Sequence, residues 1–266
     1  MSLPFDELVE TFESSRGLPL PAQRGLMALV DDLAVGRKLK ILDAGAGTGR
    51  LALPLLERGH DVVAVDLAPP MLVQLAGKLA ASGPLIGVCR MVRADVVALP
   101  FAAHIFDAAL VASVLYLVPD WRAVVAEVSR VLRPEGALLF VAERSESSPA
   151  LERFDTRWRE TIEAIGYRHP SSSPDDAAVI AALAASATTC EVHELASWTA
   201  GQTVGQALDS YGTRLRPLYA TVPDDTWQVA VEGFTAWART TFPDPATRFD
   251  FAVTVEVTVA RGLTRG

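Results

Sequence analysis

The sequence has few cysteines and no long apolar run. Cys89 and Cys190 are its two cysteines, too few for a disulfide framework or a cysteine metal site, so we expect two thiols in the core and no bound metal. No apolar run reaches the eighteen or so residues of a membrane-spanning helix. The first ten residues carry acids where a secretory signal would carry basic residues, so we expect a cytoplasmic protein without a membrane partner.

Positive charge is also scarce. The chain has 24 Lys and Arg against 32 Asp and Glu, a formal net charge of −8, and its basic residues occur only in short groups at 37–40, 153–159 and 214–216. A protein that binds duplex phosphates usually has a basic face, so nucleic acid is a poor candidate partner. With 266 residues, the chain suits one large domain or a domain with an insertion.

Short apolar runs alternate with helical patterns through the first half of the chain. Such an alternation predicts an α/β fold, a parallel sheet with helices on both faces, because right-handed crossovers leave few other arrangements. The runs are apolar throughout, as in strands covered on both sides. They predict strands at 39–44, 61–66, 88–94, 106–112 and 137–142, and the sequence R-P-E-G at 133–136 predicts the end of the preceding helix.

The pattern changes after Glu143. Helices are predicted over 151–165 and from 176 to about 187, and the segment 201–242 is mostly helical. Alternating residues predict strands at 191–198 and 248–260. The aromatic residues of this part either line an apolar pocket or form the core of a helical cap or a dimer contact; they are Trp198, Tyr211, Tyr219, Trp227 and Trp237.

Three glycines alternate in K-I-L-D-A-G-A-G-T-G-R (40–50), directly behind Asp43. A strand, a glycine turn and a helix N-terminus together can hold a ligand against backbone N–H groups. A phosphate-binding P-loop needs a lysine after the last glycine, where this chain has Arg50, so that class is excluded. The dinucleotide fingerprint G-x-G-x-x-G fails when it is counted from Gly45, because its sixth place is then Arg50. Counted from Gly47, the chain meets the form that allows alanine at the last place, Ala52. Dinucleotide binding is therefore disfavoured.

The remaining pattern is D-x-G-x-G-x-G, and residues 42–49 resemble the first motif of class I S-adenosylmethionine-dependent methyltransferases. Four further blocks continue the likeness to the ubiquinone/menaquinone-type small-molecule branch, in order and at the usual spacing: V-A-V-D-L-A-P-P-M-L (63–72), V-R-A-D-V-V-A-L-P-F (92–101), F-D-A-A-L-V-A-S-V-L-Y-L-V (106–118) and V-L-R-P-E-G-A-L-L-F (131–140).

The resemblance implies a Rossmann-like fold. Its sheet would have seven mostly parallel strands in the order 3-2-1-4-5-7-6, with 248–260 as an antiparallel last strand, and a helical lid. We predict an N-terminal helical lid segment at 1–38 and a methyltransferase core at 39–200. A helical insertion or cap would follow at 201–247, and 248–266 would supply the C-terminal strand of the core sheet.

The resemblance also implies a cofactor, S-adenosylmethionine, which leaves as S-adenosylhomocysteine, and a set of residues that bind it. Asp66 would accept hydrogen bonds from both ribose hydroxyls, and Asp95 would accept one from the adenine amino group. The alternatives are a helix N-cap or a solvated strand end for Asp66 and a turn aspartate for Asp95. The other implied residues are Asp43 with Gly45, Gly47 and Gly49 at the loop, Leu67 and Met71 on the adenosine or in the helix core, Val96 at an adenine ring nitrogen, and Ala112 and Ser113 under the methionine portion.

Methyl transfer is an in-line displacement that mainly needs alignment and exclusion of water, so no compact catalytic signature is expected. A hydroxyl or an acidic carbon as acceptor would need a base. Tyr116, a few residues after the fourth strand, and His169, in the loop after 166, are the candidates. His104, at the opposite end of the sheet, is expected to be a surface residue, and His193, in a strand, is expected to be structural.

The predicted function is therefore methyl transfer from S-adenosylmethionine to a small-molecule acceptor, and the candidate protein partner is a second copy of the chain in a homodimer. Two alternatives stay open. One is a catalytically silent protein of the same fold that binds the cofactor. The other is an NAD(P)-dependent oxidoreductase, which Arg50 and the acid at position 43 disfavour.

Overall fold

The computed structural model describes residues 18–146, 148–166, 175–212 and 222–264. The backbone divides into two compact units. Within the described ranges, the larger unit comprises residues 18–143, 175–196 and 255–264. The smaller unit comprises residues 144–146, 148–166, 197–212 and 222–254.

Seven strands form one sheet in the order β3-β2-β1-β4-β5-β7-β6, which confirms the predicted topology of a mixed sheet. β1 pairs in parallel with β2 and β4, β2 with β3, and β4 with β5. The strands are β1 (Lys40–Ala44), β2 (Asp61–Asp66), β3 (Cys89–Arg93), β4 (Phe106–Ala112), β5 (Leu132–Glu146), β6 (Thr189–Thr203) and β7 (Arg248–Arg261).

The helices connect these strands. The helices of the described residues are α1 (Leu20–Ala34), α2 (Ala52–Glu57), α3 (Pro69–Ala81), α4 (Trp121–Val131), α5 (Pro149–Ala164), α6 (Asp176–Ser186), α7 (Val204–Gly212) and α8 (Asp224–Thr241), with a 3₁₀ turn at Leu115–Leu117. None of them has both the length and the apolar character needed to cross a bilayer.

α4 shows how the sequence pattern produces a helix. The Asp120 carboxylate accepts hydrogen bonds from the N–H groups of Arg122 and Ala123, which caps the first turn. Val124 and Val128 lie one turn apart on the buried face, so the helix is fixed by an apolar stripe that packs into the core.

β5 is longer than predicted. The R-P-E-G sequence at 133–136 was expected to separate helix from strand, but the strand already begins at Leu132. The pairing explains the difference, because Phe106 pairs with Leu132 and Ala108 with Ala137, so two steps along β4 match five along β5. The exposed residues 133–135 bulge out of the ladder, and the strand resumes its register afterwards.

The smaller unit has an aromatic core. Phe154 lies at its centre, with ring centroids 5.6 Å from Phe234 and 5.5 Å from Trp237. Tyr211 and Trp227 pack into the same cluster. Of the two alternatives for the predicted aromatic set, the structure therefore supports core packing for these residues. Tyr219 lies outside the described residues.

The structure describes part of each predicted helical addition, the lid segment at 1–38 and the insertion at 201–247. Residues 1–17 of the predicted lid segment lie outside the described residues, and α1 follows at Leu20–Ala34. In the predicted insertion, residues 201–203 continue strand β6, and helix α7 begins at Val204.

The amino end of β4 is held by a buried carboxylate. The side chain of Asp107 is 6% exposed, and it accepts hydrogen bonds from the Lys40 N–H at 2.8 Å and from the Arg37 guanidinium at 3.0 Å. Arg133 contacts the same carboxylate. These backbone and guanidinium hydrogen bonds outweigh burial and hold the pKa of Asp107 below its ordinary value of 3.8.

We expect Asp107→Asn to lower the free energy of unfolding by about 1–3 kcal/mol, because the amide loses charge-assisted bonds in a buried place. A depressed native pKa contributes stability above the unfolded pKa and loses it as pH falls, so the difference between variant and wild type should shrink below about pH 4. Urea unfolding at pH 7 and pH 3 measures this. Asp250→Asn, at an exposed ion pair with Arg248, is the control with little expected effect.

Candidate functional site

The acidic residues predicted from the sequence follow neighbouring parallel strands. Ala44 of β1 pairs with Val65 of β2, and Asp66 of β2 pairs with Arg93 of β3. Because the carboxyl ends of parallel strands meet at one edge of the sheet, Asp43, Asp66 and Asp95 lie at the same edge. The topology thus brings together three residues that are 52 positions apart from first to last.

The glycine loop folds over the end of β2. The N–H groups of Gly45 and Ala46 both donate to the Val65 carbonyl at 2.9 Å, and the Gly47 N–H donates to Oδ2 of Asp66 at 2.8 Å. The second oxygen of Asp66 accepts from the Ala68 N–H at 2.9 Å. Burial raises the pKa of Asp66, and these backbone donors oppose that rise. Asp66 therefore holds the loop and keeps free lone pairs for further donors.

Two of the three glycines are required by the protein's own packing. Gly45, Gly47 and Gly49 all have positive φ, at 79°, 54° and 85°. A Cβ on Gly45 would lie 2.7 Å from Cγ2 of Val114, and one on Gly49 would overlap Cδ1 of the buried Leu75. The glycines thus allow the left-handed backbone and the close approach of two neighbouring side chains.

Asp43 is the least satisfied polar group of the site. Its side chain is buried, with 3% of the residue exposed, and its Oδ2 has no hydrogen-bond partner among the described residues. Burial raises the pKa of Asp43 to about 7, with the Asp66 charge adding to the rise and the Arg50 charge opposing it. A buried oxygen without a partner is costly to the free protein, and it is positioned to accept a donor from a ligand.

Asp95 begins the turn that leaves β3. Its carboxylate accepts from the Val97 N–H at 3.1 Å, and its carbonyl accepts from the Ala98 N–H at 3.0 Å. Val96, between them, is buried in the core. Asp95 is thus the turn aspartate of the alternative interpretation, and its second carboxylate oxygen is not used by that turn.

The end of β4 supplies a strained backbone. Ala112 ends the strand, and Ser113 has a φ of 55°, a left-handed conformation that is unusual for a residue other than glycine. Val114 follows and packs against Gly45, and Tyr116 lies half-buried in the 3₁₀ turn after it. Backbone strain of this kind is found most often at binding and catalytic sites.

The two predicted adenosine contacts differ in their exposure. Leu67, directly after Asp66, is 52% exposed, which suits a side chain that packs on a ligand. Met71 is 2% exposed and belongs to the buried face of α3, the second of its two alternatives.

The predicted histidines that the structure describes lie apart from the glycine loop. His104 is exposed before β4, at the opposite end of the sheet, where its Nδ1 is 2.9 Å from the Leu132 carbonyl. His193 lies in β6, 3.4 Å from Glu191, and its structural role stays a prediction. His169 lies outside the described residues. Across the described ranges, no group of three His, Cys, Asp or Glu side chains is placed to hold a metal ion.

One contact of the loop was missed from the sequence. Lys78 of α3 donates to the buried hydroxyl of Thr48 at 3.2 Å, so the helix after β2 also holds the glycine loop. A signal was present, because Met71, Leu75 and Lys78 recur at helical spacing and therefore share the face that the loop covers.

Comparisons with known proteins agree with the geometry. Residues 42–140 match the family model described as a methyltransferase domain. The chain is 38% identical over 138 residues to an uncharacterized methyltransferase of Mycobacterium bovis, covering 52% of this chain and 51% of that one. It is 42% identical over 111 residues to the demethylmenaquinone methyltransferase of Thermus thermophilus, covering 41% and 49%. The chain thus spans about half the length of the curated relatives that it matches.

Solved structures share the fold. A candidate methyltransferase from Bacillus halodurans superimposes with a TM-score of 0.60 at 18% identity, covering 90% of this chain and 99% of that one. A phosphoethanolamine N-methyltransferase of Haemonchus contortus, solved with S-adenosylhomocysteine, has a TM-score of 0.51 at 15% identity, covering 95% and 57%. At these identities the likeness shows the fold alone.

We expect Gly49→Ala to destabilise the protein by at least about 1–3 kcal/mol, because the new Cβ forces a left-handed alanine and collides with Leu75. Gly77→Ala is the matched control. Gly77 lies in α3 with nothing within 4 Å of a new Cβ, so its substitution should stabilise the helix by up to about 1 kcal/mol. Chemical denaturation of both variants measures the difference, and equal effects would contradict the assigned packing.

We expect Asp43→Asn to stabilise the ligand-free protein at pH 8, by about 1–3 kcal/mol, because it removes a buried charge without a full set of partners. A native pKa raised from 3.8 to about 7 means that wild-type stability falls as pH rises through that window. The variant should lack this slope. Melting temperatures from pH 4 to pH 8 measure it, and parallel curves for both proteins would refute the assignment.

Proposed function

We propose that residues 42–140, which match the methyltransferase-domain model, form a class I S-adenosylmethionine-dependent methyltransferase domain, and that the protein transfers a methyl group from S-adenosylmethionine to a small organic acceptor. The observation that carries this proposal is the buried Asp43 carboxylate with an unpaired oxygen under the glycine loop. The ligand's α-amino group is a cation that could supply the missing donor. A pyrophosphate would meet negative charge at the same place.

The acids fit successive parts of the proposed ligand. Each oxygen of Asp66 accepts one backbone N–H, from Gly47 or Ala68, and we assign the remaining acceptor capacity of the carboxylate to the ribose hydroxyls. Asp95 has a carboxylate oxygen that its own turn does not use, which we assign to the adenine amino group. Leu67 offers an exposed apolar side chain for the adenine face. The site would thus bind an adenosyl group with a cationic tail and no phosphate.

When bound, S-adenosylmethionine supplies a methyl group on a positively charged sulfur, already activated for displacement. The residues of this chain then need to hold the acceptor in line with that bond and to keep water away. We propose Tyr116 as the group nearest the acceptor, because it lies three residues after Ser113, at the strained end of β4. Tyr116 or His169 would take the acceptor's proton where the acceptor is a hydroxyl or an acidic carbon.

The proposal does not assign a chemical class to the methyl acceptor. Two relatives are named for different acceptors, demethylmenaquinone and malonyl-[acyl-carrier protein]. The regions of this chain that match them cover less than half of either relative. In this fold the cofactor scaffold is shared, and substrate identity is set by added segments.

Ligand binding tests the proposal directly. We expect S-adenosylhomocysteine at about 100 times its Kd to stabilise the protein by about 2.7 kcal/mol, and NAD to leave the melting temperature unchanged. Incubation with radiolabelled methyl donor and a metabolite extract should then transfer label. Label transfer distinguishes the enzyme from a silent cofactor-binding protein, and stabilisation by NAD alone would overturn the proposal.

Asp43→Asn should weaken S-adenosylhomocysteine binding about tenfold to a hundredfold, because a charge-assisted bond to the α-amino group is lost. In the wild type, affinity should fall as pH drops from 7 to 5.5, since protonated Asp43 loses its charge near a pKa of about 7. The variant should bind without this pH dependence. Calorimetric titration measures both.

Asp107→Asn is the control for this test, because it removes a buried carboxylate at the opposite end of the sheet. Its binding constant should match the wild type wherever the variant is folded. An Asp43 variant that binds as tightly as the wild type at every pH would contradict the assignment of Asp43 to the ligand.

A further inference from the structure

The connection from β3 to β4, two parallel strands that are not neighbours in the sheet, has an unusual form. It consists of the 12 residues 94–105, all of them described, and it contains no helix. Crossovers of this length between parallel strands usually contain a helix. Pro100 explains the difference, because it lacks an N–H and restricts Leu99 to extended backbone. The segment therefore needs hydrogen-bond partners from elsewhere in the protein.

Two side chains of α4 supply these partners. The Leu99 N–H donates to Oε2 of Glu127 at 2.9 Å, and the Leu99 carbonyl accepts from Nη2 of Arg130 at 3.0 Å. The Phe101 carbonyl accepts from Nη1 of Arg130 at 2.7 Å. One residue of the crossover is thus held by both of its backbone polar groups, and a second by its carbonyl.

The two side chains also hold each other. Nε of Arg130 donates to Oε1 of Glu127 and Nη2 to Oε2, each at 2.8 Å. This is a bidentate pair, whose planar geometry fixes both side chains more firmly than a single contact. The Arg130 side chain is 27% exposed and the Glu127 side chain is 22% exposed, so solvent screens the pair only in part.

The held segment is continuous with Asp95. The Asp95 turn is fixed on one side by β3, where the Ala94 N–H donates to the Asp66 carbonyl at 3.2 Å. On its other side lies Leu99, which is 4% exposed and packed in the same core as Val96. The position of the Asp95 carboxylate is therefore set from both ends, by the sheet and by α4.

We propose that Arg130 and Glu127 are positioning residues for the adenine end of the cofactor site. They hold the crossover so that Asp95 faces the adenine amino group, and they contribute to selection of adenine over other bases. This inference rests on the proposed function, because it assigns Asp95 to that amino group.

The test compares two ligands that differ on one edge of the base. S-inosylhomocysteine has a carbonyl oxygen where S-adenosylhomocysteine has the amino group and an N–H where adenine has the bare N1, so it presents an acceptor to the Asp95 carboxylate and a donor to the Val96 N–H. We expect the wild type to prefer the adenosyl ligand by about a hundredfold or more, because a site built for a donor is left unpaired by the analogue. In Arg130→Gln, affinity for the adenosyl ligand should fall about tenfold, and affinity for the inosyl ligand by less than about threefold.

Arg122→Gln is the matched control. Arg122 lies on the same helix but contacts the ring of Trp121, with its guanidinium carbon 4.3 Å from the ring centroid. It should keep the wild-type preference between the two ligands. Glu127→Gln keeps the side-chain volume and one acceptor oxygen, and it gives a second test of the same pair where Arg130→Gln does not fold.

A double-mutant cycle separates positioning from general stability. In an Asp95→Asn background, Arg130→Gln should cost less than about threefold in affinity for S-adenosylhomocysteine, since the group that it positions has lost its charge. Two results would overturn this inference and leave the proposed function standing. One is that the affinity losses of Arg130→Gln and Asp95→Asn add up in the double variant. The other is that the affinity ratio between the adenosyl and inosyl ligands is unchanged in both the Arg130 and the Glu127 variant. A wild-type protein that binds neither ligand would overturn the proposed function and this inference with it.

Discussion

The hydrogen bond from the Gly47 N–H to Asp66 joins the glycine loop to the end of β2, and the rest of the site depends on it. The parallel pairing of β1 with β2 brings the loop within reach of that carboxylate. The loop can follow this path only with positive φ at its glycines, and its neighbours Val114 and Leu75 then fill the space that side chains would occupy. One carboxylate thus fixes the backbone that a ligand would meet.

The site keeps a charge that the fold does not need. Asp43 is buried in a strand of the central sheet with an unpaired oxygen, a position where an apolar or neutral residue would cost less. The Asp107 side chain, at the other end of the sheet, is only 6% exposed, but both of its oxygens accept hydrogen bonds from backbone or guanidinium donors. The contrast between these two aspartates separates a residue that supports the fold from one that is available to a ligand.

The sequence predicted the parallel core well. The bounds of β2 and β4 agree with the predicted 61–66 and 106–112, because each is a short apolar run that ends at clear punctuation. β5 was predicted too short, since the R-P-E-G turn signal is absorbed as a bulge that only the pairing with β4 reveals. The aromatic residues of the smaller unit could not be divided between pocket and core, because periodicity shows which residues share a face and not what covers it.

The sequence by itself determined two features of this protein. The strand order came from the resemblance of its motifs to those of a known family. The positions of the acids at the strand ends came from local patterns, because each acid lies within a few residues of its motif. Tertiary structure alone decided which carboxylate oxygen stays unpaired and which side chains hold the loops. Lys78 reaches Thr48 across 30 residues, and Glu127 reaches Leu99 across 28. Such contacts depend on how helices pack against the sheet, which no local pattern encodes.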